Sequence, residues 1–262
     1  MGFFTIVDRT MALLSAAITG LLSLARPLLR IQFGLYKQDV RTALFPEDDP
    51  EFVIAGPNPD RLLFIGDVAV AGYGVLSHGM TTASQTARFL SRDRGRGCSW
   101  SVIAATDLTA ARVASMPSLD ATGVGVAVLM LGIPDVLLGT SSPTWAASLG
   151  TIVDRIRDQA GRNCRVVFAG IPPMADFRPV PSLARRIMTL QIQRFNRVTL
   201  ATASQLSNTS FVRFPDWRVG EMYVEELFSW KAMHEMWARV LASAASQLMA
   251  DDDNPAPDSN PA

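Results

Sequence analysis

Five apolar runs, each followed by a stretch of helical period, constrain the fold of this 262-residue chain more than any other feature. The runs cover residues 61–66, 101–105, 123–131, 165–169 and 210–214. They are short and do not alternate between apolar and polar, as expected for strands buried on both faces. The clearest helix between them is 143–159, where Trp145, Leu149, Ile152, Val153 and Ile156 share a face behind a Ser142-Pro143 start. A long helix is expected after Pro181, and a last one over 229–250 with Met233, Trp237, Val240, Leu241 and Leu248 inward. Strand–helix alternation of this kind predicts an α/β protein, with a parallel sheet covered by helices on both faces. Ligands of such sheets sit beyond the carboxyl ends of the strands, so the segments just after each strand are where function is sought.

Nearly half of the residues are apolar, which is enough for one large buried core. Basic and acidic residues balance at 24 each, so no nucleic-acid or polyanion partner is expected. Cys98 and Cys164 have neither metal-ligand spacing nor the pattern of a disulfide framework. The expectation is two reduced thiols in a cytoplasmic protein, with a disulfide as the alternative, and no cofactor or metal.

Four segments are expected: an amphipathic N-terminal helix over 1–30, a connection over 31–60, the main domain over 61–250 and a disordered tail over 251–262. The tail contains almost nothing to bury. The N-terminal apolar run from Met11 to Ala25 is too short to span a bilayer comfortably. Ser15, Thr19, Ser23, Arg26 and Arg30 recur at intervals of three and four, leaving Leu14, Ile18, Leu21, Leu22, Leu28 and Leu29 off that stripe. Three readings stay open. The segment is a helix lying in a membrane surface, a helix packed on its own domain or a partner, or a signal peptide cleaved after Ser23-Leu24-Ala25. The first makes the protein peripheral to the membrane; Asp8 weakens the secretory reading.

The motifs narrow the class. Gly66-Asp67-Val68 with Gly72-Tyr73-Gly74 follows the first strand, and Thr106-Asp107-Leu108-Thr109 the second. Leu131-Gly132-Ile133-Pro134-Asp135 follows the third, Gly170-Ile171-Pro172-Pro173 the fourth, and the segment from Glu225 to Trp237 opens the last helix. In this order the blocks resemble those of the SGNH (GDSL-type) esterase family, over about residues 60–250. The resemblance implies a three-layer α/β/α sandwich on a flavodoxin-like five-stranded parallel sheet, here with an extra N-terminal helix. It also implies an esterase or acyltransferase with a serine nucleophile, a histidine base, an orienting aspartate and an oxyanion hole built from glycine and asparagine.

At the matching positions this chain departs from the family. The nucleophile position is Val68, the block-two glycine Asp107, the block-three asparagine Pro134 and the histidine Phe228; the acid is half kept as Glu225. Valine and phenylalanine have no heteroatom for acyl transfer, and proline lacks even its own N–H. His78 and His234 are the only histidines, and His234 lies six residues past the matching position, roughly 9 Å along a helix. It is expected as a helix-face residue, with Asp67, Gly72, Gly74 and Asp135 kept for the turns they make. Val68, Pro134 and Phe228 are expected to make the old cleft apolar or to fill it.

These residues predict a protein without catalysis that acts by binding. The partner would be another protein, such as an active relative or a cell-envelope enzyme, a membrane surface reached through residues 1–30, or an acylated or lipid ligand. The alternative is an active esterase or acyltransferase with displaced machinery, using Ser77 with His78, or Asp107 as a base.

Overall fold

The computed structural model describes residues 24–177, 180–216, 223–224 and 227–253. Its main sheet has six strands: β1 (Val53–Ile54), β2 (Asp60–Gly66), β3 (Cys98–Ala104), β4 (Val126–Met130), β5 (Arg165–Ala169) and β6 (Thr209–Val212). The order across the sheet is β1-β3-β2-β4-β5-β6. Strands β2 to β6 are parallel and have the flavodoxin-like order expected, with β2 at the switch point between β3 and β4. The sequence reading missed β1. It pairs antiparallel with β3 over Val53↔Ser99 and Ile54↔Cys98, too short a segment to display a period. A separate hairpin joins β7 (Tyr223–Val224) to β8 (Leu227–Phe228).

Seven helices complete the described residues: α1 (Arg26–Thr42), α2 (Thr82–Arg94), α3 (Ala110–Ala114), α4 (Ile133–Leu138), α5 (Ser142–Ala160), α6 (Ser182–Gln205) and α7 (Trp230–Asp253). Local chemistry starts several of them. Thr81 accepts the Ser84 N–H before α2, and Ser141 accepts the Thr144 N–H before α5, with proline in the first turn. Gly95 and Gly139 end α2 and α4 in the left-handed conformation.

Alternate residues of each central strand enter two cores. Leu63, Ile65, Ala127, Leu129, Val166 and Phe168 face the side packed by α3, α5 and α6. Leu62, Phe64, Val126, Val128 and Val167 face α2 and α7, where Leu90, Trp237 and Leu241 are buried. Burial on both faces is why these strands read as continuous apolar runs. At α7, Met233, Trp237 and Leu241 are buried as expected, while Val240 and Leu248 are half-buried. Cys98 and Cys164 are free, buried thiols, pushed up by burial to about 12 and about 11.

The N-terminal region differs most from the sequence reading. The helix does not end at residue 30 but continues to Thr42, so the first twelve residues of the expected connection are helical. Leu29, Gln32 and Tyr36 bury one face of α1 against the domain, chiefly against α4, and Arg26 packs on Gly139. Residues 1–23, where the cleavage site begins and most of the apolar run lies, are outside the described residues, as are 254–262 of the expected tail.

Candidate active-site cleft

Two buried carboxylates tie together the segments that follow β2, β3 and β4. Asp67 accepts the Ile133 N–H at 2.9 Å and the Ala69 N–H at 3.2 Å. Asp135, in the first turn of α4, accepts the Ala110 N–H at 2.9 Å and the Thr140 hydroxyl at 3.0 Å. The first, third and second motifs are thereby joined in sequence: Asp67 holds the start of α4, and Asp135 holds the start of α3. Their role reaches further than the local turns expected for them. Burial raises Asp67 to about 7 and Asp135 to about 6, against the opposing pull of the N–H donors.

Glycine is needed where these turns pass close to the packing. Gly72 and Gly74 have φ of 85° and 81°, as the turn reading required, and a Cβ on Gly74 would stand 2.3 Å from the Trp230 ring. Gly132, with φ of 135°, would drive a Cβ to 2.3 Å from Ile171 Cδ1.

Above the turn after β2 lies an open cleft of about 610 Å³. Val68 and Ile133 line it from the sheet side, Met174 and Phe177 from the segment after β5, and Trp230 and Met233 from α7. Leu35, Tyr36 and Val40 of α1 add a further wall. Tyr36 is pinned there because its hydroxyl donates to the Thr106 carbonyl at 2.5 Å, which also joins α1 to the second motif. Asp39 is the one carboxylate on the lining among the described residues. Among the described residues the cleft is lined mainly by apolar side chains, as expected, and none of them fills it. Of the three residues expected to make it apolar or to fill it, Val68 lines it, whereas Pro134 is buried in the first turn of α4 and does not. Proline fits there because the first turn of a helix leaves its N–H groups without intrahelical partners.

The remaining sequence-derived positions are scattered. Asp107 is exposed and accepts from Arg112 at 3.0 Å, away from the cleft lining. Phe228 lies in β8, and Glu225 is outside the described residues. His78 sits in the surface turn 78–80, where its Nδ1 is 2.9 Å from Asp48, and neither Ser77 nor His78 lines the cleft.

His234 is on the inward face of α7, where it is fully buried and stands at the cleft lining. Its Nε2 is 3.0 Å from the Tyr73 carbonyl, which can only accept, so the proton is on Nε2. Nδ1 therefore accepts, from the Thr82 hydroxyl at 2.7 Å and the Thr82 N–H at 3.2 Å. The ring stays neutral, since burial lowers it to about 4. It caps the first turn of α2 and locks α7 to the loop after β2. A Thr–His pair is thus present beside the cleft, but Thr82 is itself fully buried and does not line it. The sequence offers no local signal for this pair, because its members are 152 residues apart.

Tyr36, Tyr73 and Trp230 were also missed as cleft residues. Tyr36 lies in the segment read as a connection, and the edge-on contact of Tyr73 with Trp230, centroids 4.8 Å apart, forms only when α7 closes over the turn. A second hollow of about 720 Å³ lies beyond β5 and β6, lined in part by Asn196, Arg197 and Arg213 and reached by Ile171 and Pro173 of the fourth motif.

The sequence model of the GDSL-like lipase/acylhydrolase family matches residues 64–245. Among solved structures, TesA is 22% identical with a TM-score of 0.54, covering 72% of this chain and 99% of its own. The lipase Lip_vut3 from goat rumen metagenome is 13% identical with a TM-score of 0.55, covering 72% of this chain and 99% of its own. The psychrotrophic esterase EstA from Pseudoalteromonas sp. is 13% identical with a TM-score of 0.52, covering 73% and 99%. No curated protein sequence matches. With the family motifs meeting at the carboxyl end of a sheet of the right order, the chain belongs to the GDSL-like lipase/acylhydrolase (SGNH hydrolase) family.

Proposed function

We propose that this chain is a non-catalytic SGNH-fold protein that holds an acylated ligand in the cleft above Val68. The observation that carries the reading is the cleft itself, open and apolar, with a hydrocarbon side chain at the nucleophile position. Acyl transfer needs a hydroxyl or thiol beside a base free to take its proton. Both ring nitrogens of His234 are committed to Thr82 and Tyr73, and a base lowered to about 4 is a poor proton acceptor at neutral pH. Such a cleft suits a chain of methylene groups, each contributing about 0.8 kcal/mol when removed from water.

Two measurements test the proposal. A fluorescent fatty acid should bind at one equivalent and be displaced by a long-chain acyl ester. Val68→Trp, which projects bulk into the cleft, should weaken that binding at least tenfold. A fluorophosphonate probe should leave the protein unlabelled. Stoichiometric labelling, or fatty-acid binding indifferent to Val68→Trp, would overturn it.

A second reading, an esterase with displaced residues, is favoured by the Thr82–His234 contact alone. It predicts ester turnover that Thr82→Val abolishes. Turnover lost instead on Ser77→Ala would assign it to the surface Ser77–His78 pair.

A further inference from the structure

Helix α1 presents more than the face it buries. Ile31 and Leu35 are 61% and 46% exposed, and with half-buried Leu28 they recur at intervals of three and four, so they form one line along the helix, while Leu24, 83% exposed, lies just before its start. Arg26, Arg30, Lys37 and Arg41 are exposed and form a second line, with Pro27, Gly34 and Gln38 between the two. From Leu24 to Thr42 the single acidic residue is Asp39, which turns to the cleft, so a strongly basic helix stands on a chain with no net charge. No helix among the described residues is long and apolar enough to cross a membrane.

We infer that α1 docks the protein on an anionic lipid surface, with Leu24, Ile31 and Leu35 entering the acyl boundary and Arg26, Arg30, Lys37 and Arg41 meeting the headgroups. Charge complementarity selects this occupant. A protein core would take the leucine line but leave the basic line unmatched, whereas a bilayer of anionic lipid satisfies both at the same depth. The docked face has a defined end. Leu44 is the last exposed apolar residue before the sequence turns acidic at Glu47, Asp48, Asp49 and Glu51, which an anionic surface repels. Leu35 belongs both to the apolar line and to the cleft wall, so docking sets the cleft mouth against the lipid. The inference rests on the helix and stands whether or not the cleft holds an acyl chain.

The test uses the full chain and co-sedimentation with vesicles of phosphatidylcholine alone or mixed with phosphatidylglycerol. Wild-type protein should pellet with the mixed vesicles, weakly with the neutral ones, and less as salt rises. Ile31→Glu with Leu35→Glu should abolish pelleting. Arg30→Gln with Lys37→Gln should weaken it about tenfold or more on the mixed vesicles only. These positions are exposed, so the thermal midpoints of the variants should match wild type. Pelleting unchanged in both variants would assign the binding to residues 1–23 and overturn the inference. Absence of vesicle binding, with a concentration-dependent dimer that the glutamate variant abolishes, would overturn it in favour of a second copy of the chain.

Discussion

The Asp67 carboxylate accepts the Ile133 N–H at 2.9 Å, binding the turn after β2 to the start of α4 across the switch point of the sheet. The bond persists although burial makes the charge costly: Asp67 rises from 3.8 to about 7. A carboxyl raised in the folded state contributes stability that is full below its unfolded value and is lost as pH rises through its folded one. Asp67 should therefore stabilise the fold progressively as pH falls from about 7 to about 4. His234, lowered to about 4, works in the opposite sense over the pH range 6.5 to 4. The difference between wild type and Asp67→Asn isolates the carboxyl. The variant should compare best with wild type above pH 7 and lose ground towards pH 4. Urea unfolding at several pH values checks this, and a pH-independent difference would contradict it.

Restoring the hydroxyl alone should not restore chemistry. Val68→Ser places an alcohol on the cleft lining, but the one imidazole of that lining among the described residues is held by Thr82 and Tyr73. The variant should remain inert to short- and long-chain acyl esters and to fluorophosphonate. It should be no more stable than wild type, because a valine that is 6% exposed is replaced by a polar group. Esterase turnover from this single change would be decisive against the proposed function.

Thr82→Val keeps the shape of the side chain and removes the donor to His234 Nδ1. A buried acceptor with a weakened partner set costs about 1–3 kcal/mol, and Thr82→Ser should recover most of it. Chemical denaturation of the three proteins measures the effect. Equal stabilities would show that the Thr82 N–H at 3.2 Å satisfies the ring by itself.

Gly74→Ala should destabilise the fold by about 2 kcal/mol or more. The left-handed backbone at φ 81° and the Trp230 ring 2.3 Å from the added methyl act together, and the loss should shift the urea midpoint. Trp230→Ala in the same background should relieve the clash but not the backbone strain, leaving the pair less than additive.

What the sequence determined by itself follows from local physics. Non-alternating runs announce strands covered on both faces, the Ser142-Pro143 start announces α5, and positive-φ glycines mark the turn after β2; each is set by neighbours along the chain. The motif order pointed to the family, and the resemblance implied the flavodoxin-like strand order that the sheet has. Only the tertiary structure decided the rest. β1 is two residues long and exists because β3 offers an edge; α1 passes residue 30 because Gln32 and Tyr36 are buried and Tyr36 bonds the Thr106 carbonyl. His234 is a buried cap because α7 brings it to Thr82, and α1 forms one wall of the cleft because Tyr36 reaches Thr106. Contacts made across long stretches of chain leave no periodicity behind, so no reading of adjacent residues could have supplied them.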